Sequence, residues 1–111
     1  MRVGNRERKR TIAAACHIEA HFAEPCGLAT LAEVANTSRY QLARAFSTVM
    51  GQSPIQYLIN TRVRAAADLL RTCTAPITDV AFDVGFNDIS HFYYCFRSAF
   101  GVTPRQWRLR H

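Results

Sequence analysis

Residues 42–57, LARAFSTVMGQSPIQY, return fifty positions later as residues 92–107, FYYCFRSAFGVTPRQW. Leu42, Phe46, Gly51, Ser53, Pro54 and Tyr57 find counterparts of like size or chemistry in Phe92, Phe96, Gly101, Thr103, Pro104 and Trp107. Self-similarity at a fixed spacing marks a duplicated structural unit. Working backward through each copy, Ala32 and Asn36 pair with Ala81 and Gly85 at an offset of forty-nine, so the second copy carries one extra residue in its turn.

The internal spacing says what the unit is. A short helix carries a small residue, Ala32 or Ala81, where a neighbouring helix must come close. A turn follows at Asn36 or Gly85, residue types that accept a positive φ. An inward apolar residue, Leu42 or Phe92, then opens the next helix. That order describes a helix-turn-helix.

From Thr11 onward apolar residues recur three and four apart and no alternating strand run appears, so the fold class is all-α with seven helices. Ala14, Ile18 and Phe22 line a first helix that ends before Pro25. Leu28, Leu31, Ala32 and Ala35 share a face of a short second one. Ser38 caps a third, with Leu42, Ala45, Phe46 and Val49 inward and Gly51 as its stop. Ser53 and Pro54 open a long fourth helix through Tyr57, Leu58, Ala65, Leu69 and Leu70. A fifth covers about 77–84, a sixth about 87–100, and Thr103 with Pro104 starts the last. The organisation expected is a flexible basic arm or linker at 1–10, a first helix-turn-helix subdomain at 11–52, a linker helix at 53–75 and a second subdomain at 76–111.

Composition narrows the function. The chain has 111 residues, 49 % of them apolar, which suits one packed domain and excludes a large multidomain enzyme. Its 14 basic residues against 8 acidic give a net charge of +6, and every cation but Lys9 is arginine. The planar guanidinium fork grips phosphate and guanine edges bidentately, so the bias points to a polyanion. The first ten residues are densely basic: Arg2, Arg6, Arg8, Lys9 and Arg10 face only Glu7. They read as a flexible arm or as a linker from an upstream domain. No apolar run exceeds Ile12–Cys16, well short of the ~18 residues of a membrane span, and no signal pattern opens the chain, so no membrane partner and a cytoplasmic location are expected.

Cys16, Cys26, Cys73 and Cys95 lack C-x-x-C spacing and read as four buried, reduced thiols. A metal sensor built from Cys16, His17, His21 and Cys26 is the alternative, weakened because Cys16 and His17 point in different directions on a helix. No spacing assembles a nucleophile with its base, a glycine-rich phosphate loop or paired carboxylates; Asp79 and Asp83 lie i,i+4 on an outer helix face. The expectation is a non-enzymatic protein with no cofactor and no metal, and a helical interaction module is the competing class.

Ser38, Leu42, Arg44 and Phe46 lead to Gly51-Gln52-Ser53-Pro54 and Tyr57, followed by Arg62, Ala66, Leu69, Leu70, Ile77, Val80 and Ala81. Gly85-Phe86, Ser90, Phe92, Phe96, Gly101, Thr103-Pro104, Trp107 and Arg108 complete the series. Over residues 11–110 this resembles the DNA-binding domain of the AraC/XylS family of bacterial transcription regulators. The resemblance implies two helix-turn-helix subdomains joined by a rigid linker helix. It also implies that one chain docks both recognition helices into successive major grooves of double-stranded DNA. RNA polymerase is implied as a protein partner, and an upstream sensor or dimerisation domain is often attached in such families. A linker helix of roughly 27 Å suits grooves about 34 Å apart.

On the first recognition helix the outward residues are Arg39, Tyr40, Ala43, Arg44 and Ser47. Arg44 matches the family's arginine and is the leading base reader, Arg39 suits a phosphate, and Tyr40 suits a thymine methyl or the backbone. On the second they are Ile89, Ser90, His91, Tyr93, Tyr94 and Arg97. Tyr94 stands where the family commonly carries arginine, and His91 replaces a frequent tyrosine or glutamine. The first subdomain is therefore expected to supply most base specificity, and the second to act through phosphate contacts from Arg97, Tyr94 and His91 and through DNA shape. Asp88 reads as a helix cap, and Arg62 and Arg108 as partners in structural ion pairs.

Overall fold

The computed structural model describes residues 4–111. Among the described residues it contains seven helices and no strand: α1 (Asn5–His21), α2 (Leu28–Val34), α3 (Arg39–Met50), α4 (Pro54–Thr72), α5 (Ile77–Asp83), α6 (Ile89–Phe100) and α7 (Pro104–Arg110).

The basic opening segment departs from expectation. Met1, Arg2 and Val3 lie outside the described residues, but from Asn5 the supposed flexible arm is helix, continuous with the turns that begin at Thr11. Arg, Glu and Lys are good helix formers, and Glu7 sits in the first turn, where a carboxylate suits the positive end of the helix. These turns carry no apolar periodicity because they are largely solvent-exposed, so burial leaves no stripe to read.

The chain groups into two compact units, 1–58 and 59–111. The division falls inside α4, so the segment expected as a separate linker, 53–75, shares its residues between the units. In the first unit Ala14 and Ile18 of α1, Leu31 and Ala32 of α2, and Leu42 and Phe46 of α3 meet Leu58 in one core, with Phe22, Cys26, Leu28, Met50 and Tyr57 packed against it. In the second unit Val63, Ala66 and Leu70 of α4 are buried, as are Val80 and Ala81 of α5 and Phe92 and Phe96 of α6. Ala65 and Leu69, expected inward, are only half-buried.

The repeat is geometrical as well as chemical. Asn36 has φ 54° and Gly85 φ 109°, both in the left-handed region. Just after each, the N–H of Thr37 donates to Ala32 O and that of Phe86 to Ala81 O, both at 3.0 Å. Gly51 and Gly101 share φ 74°, ending α3 and α6 with N–H bonds to Ser47 O and Arg97 O. Ser53 Oγ accepts from Gln56 N, and Thr103 Oγ1 from Gln106 N, both at 3.1 Å. Tyr57 stands edge-on to Phe46, and Trp107 edge-on to Phe96.

The copies anchor that last aromatic differently. Tyr57 Oη donates to Glu19 Oε1 at 2.7 Å, whereas Trp107 Nε1 donates to the Ala67 carbonyl at 3.0 Å. Arg108 is structural as expected, but its partners are carbonyls rather than a carboxylate: Nε donates to Leu70 O and a terminal nitrogen to Cys73 O. The end of α4 presents carbonyls that lack an intrahelical donor, and a guanidinium satisfies them while meeting the negative end of the helix.

Candidate nucleic-acid interface

The sequence of α3 makes one face of it available. Ser38 Oγ accepts from Gln41 N at 3.1 Å and starts the helix; Leu42, Ala45 and Phe46 then turn into the core. Helical periodicity leaves Arg39, Tyr40, Arg44 and Ser47 exposed, with Tyr40 at 69 % of its full exposure. The Arg44 guanidinium carbon lies 5.8 Å from the Tyr40 ring centre, a one-turn cation–π contact that gathers both groups on one patch. Ala43 is half-buried, so only part of its side chain reaches the surface.

In α6 the cap is Asp88, as expected: its carboxylate accepts from Ser90 N at 2.9 Å and His91 N at 3.3 Å. Phe92 and Phe96 point inward, leaving Ser90, His91, Tyr93, Tyr94 and Arg97 exposed and Ile89 half-buried. Tyr94 is 73 % exposed. His91 stands edge-on to buried Phe86 at 5.6 Å, so its ring is held by the fold while its surface remains open. Tyr93, Tyr94, Arg97 and Ser98 line a shallow cleft of about 420 Å³ that reaches Thr103, the cap of α7.

In each unit the residues singled out in the sequence thus lie on one helix and are exposed, apart from half-buried Ala43 and Ile89. Sequence reading missed a second group beside α3. Arg6 and Arg10 of α1 line a cleft of about 410 Å³ with Tyr40, Gln41, Arg44 and Thr48 of α3. Arg10 donates to Thr37 Oγ1 at 3.3 Å, and Thr37 donates to Gln41 Oε1 at 2.9 Å. The charge run at 1–10 was the available signal, but without periodicity nothing tied it to α3.

The thiols differ from expectation too. All four cysteines are free, but Cys16 is exposed and Cys26, Cys73 and Cys95 are only partly buried. Burial pushes the Cys95 thiol pKa up. Among the described residues no group of three or more His, Cys, Asp and Glu side chains is arranged to hold a metal ion. His17 stacks on His21 with ring centres 4.7 Å apart, and His21 Nδ1 pairs with Glu24, so these histidines already have neighbours. Among the described residues no helix is long and apolar enough to cross a membrane.

Comparison with known proteins bears on this geometry. A family model described as a helix-turn-helix domain matches residues 31–110, most of the chain. The transcriptional regulator GbdR of Pseudomonas aeruginosa is 38 % identical over 91 residues, covering 82 % of this chain. The transcriptional activator RhaS of an Enterobacter species is 37 % identical over the same share. This chain belongs to the AraC/XylS family of helix-turn-helix domains. As an AraC/XylS domain it spans a quarter to a third of the length of these relatives, 25 % of GbdR and 33 % of RhaS. Among solved structures, the C-terminal domain of AraT, a response regulator from Geobacillus stearothermophilus, aligns with 100 % of this chain and 89 % of its own. Its TM-score is 0.86 at 31 % identity. The DNA-binding domain of AdpA, solved in complex with a target DNA, aligns over 92 % of both chains with a TM-score of 0.87 and 29 % identity.

Proposed function

We propose that this chain binds specific sequences in double-stranded DNA and regulates transcription, inserting α3 and α6 into successive major grooves. The observation that carries this reading is the duplicated helix-turn-helix in which both second helices leave a polar, aromatic and arginine-bearing face uncovered. A major groove admits an α-helix, and the N-terminal residues of that helix meet the base edges. The AdpA domain bound to its target DNA supports the same use of the fold. Arg44 reads a base, Arg39 and Arg97 engage phosphates, and Tyr40, Ser47, Ser90, His91, Tyr93 and Tyr94 complete the contact, with Ala43 and Ile89 at its edges. RNA polymerase is the protein partner we propose for regulation, and the cytoplasm the compartment.

Titrating labelled duplex over a range of salt, with and without magnesium, tests the reading. The expected result is saturable binding whose logarithmic affinity falls linearly with the logarithm of salt, by about 0.9 per phosphate neutralised, with the duplex left intact. A flat salt dependence would exclude DNA as the partner, and magnesium-dependent cleavage would make the protein a nuclease.

A further inference from the structure

We propose that the first turns of α1 are part of the DNA interface: Arg6 and Arg10 hold the phosphate backbone beside the groove that α3 enters. The inference rests on the DNA-binding reading above and adds residues outside both recognition helices. Its basis is the cleft of about 410 Å³ along the flank of α3, with Arg6, Glu7 and Arg10 on one wall and Tyr40, Arg44 and Thr48 on the other. Three guanidinium groups face a single carboxylate there, which suits an anion. The cleft is also continuous with the reading face, because Tyr40 and Arg44 belong to both.

That juxtaposition fits how helices sit in a groove. When α3 lies along the base edges, the sugar-phosphate strand that walls the groove runs past its flank, and such flanking contacts set register without reading sequence. Arg10 is prepared for the task. It is half-buried and tied to Thr37 Oγ1, which uses one guanidinium donor and leaves others for phosphate oxygens. Holding the head in advance reduces the side-chain entropy lost on binding. Arg6, one turn earlier and exposed, extends the same row. An acidic peptide is the other occupant the charge would accept, but continuity with α3 favours the nucleic acid.

The test uses the whole chain and a random-sequence duplex, comparing wild type with Arg6→Gln, Arg10→Gln, the double variant, and the charge-keeping Arg6→Lys and Arg10→Lys. Each glutamine variant is expected to flatten the salt dependence of logarithmic affinity by about 0.9, the double variant by about twice that, and the lysine variants to restore most of it. Base preference in selected duplexes is expected to stay as in wild type. If wild type binds with a steep salt dependence and the double variant keeps it, the inference fails while the DNA reading stands. If wild type shows no salt-dependent binding, the DNA reading itself fails. Helical circular dichroism reports folding of each variant; should Arg10→Gln unfold, exposed Arg6→Gln decides the matter alone.

Discussion

Arg44 is the base reader in the proposed complex because three features meet at this residue. It is exposed on α3, it shares a patch with Tyr40 at 5.8 Å, and its side chain lines the cleft toward α1. In the proposed complex the α1 arginines orient on phosphate, whereas Arg44 reaches a base edge, where a bidentate contact distinguishes guanine from the other bases. Arg44→Ala is expected to relax preference at a single base pair and weaken the specific complex by about 1–3 kcal/mol, the value of one bidentate guanine contact. Competition between the selected duplex and variants substituted at each position measures it. Equal weakening on specific and random duplexes would reassign Arg44 to phosphate. At the other reader no arginine occupies the equivalent place; Tyr94 does, at 73 % exposure, and it offers a ring and one hydroxyl where a guanidinium offers a fork.

At the scale of elements, the turns carry the most stringent local demand. Gly85 has φ 109°, and the N–H groups of Gly85 and Phe86 tie back to Phe82 O and Ala81 O. A β-branched residue there meets its own backbone, so Gly85→Val is expected to cost on the order of 2 kcal/mol. For a domain of this size that is about 4–8 °C of Tm per kcal/mol, read by thermal circular dichroism; an unchanged Tm would mean the turn relaxes to another geometry. This demand was visible in the sequence because a turn residue, its preceding alanine and the following inward residue lie within one short stretch. Caps were legible for the same reason: Ser38, Ser53, Asp88 and Thr103 act on amides two or three residues on. What escaped was lateral. Nothing in residues 5–10 says that α1 extends through them beside α3, because a solvated helical turn imposes no pattern. Cys16 was misplaced by the same limit: an apolar neighbourhood in sequence, Ala13 to Ala15, does not say which side of the helix the thiol takes.

For the whole molecule, the useful contrast is between two copies of one device that are alike in scaffold and different in surface. The stops share one angle, the turns and caps share their bonds, and the two turns differ only in how far into positive φ they reach, whereas α3 exposes Arg39, Tyr40 and Arg44 and α6 exposes His91, Tyr93, Tyr94 and Arg97. In the proposed complex two readers with different side chains prefer different half-sites, and because both belong to one chain their order on DNA is fixed. A single chain is therefore expected to select an asymmetric site with two conserved blocks about 10–10.5 bp apart, centre to centre. The block facing α3 should be the sharper of the two, and the block facing α6 should depend more on groove shape than on base identity. Sequencing duplexes retained from a randomised pool at low protein concentration gives both quantities directly. A palindromic motif would mean that two chains bind as a symmetric pair, with each contributing only one reader. Equal sharpness in the two blocks would mean that the tyrosines of α6 read bases as stringently as Arg44 does.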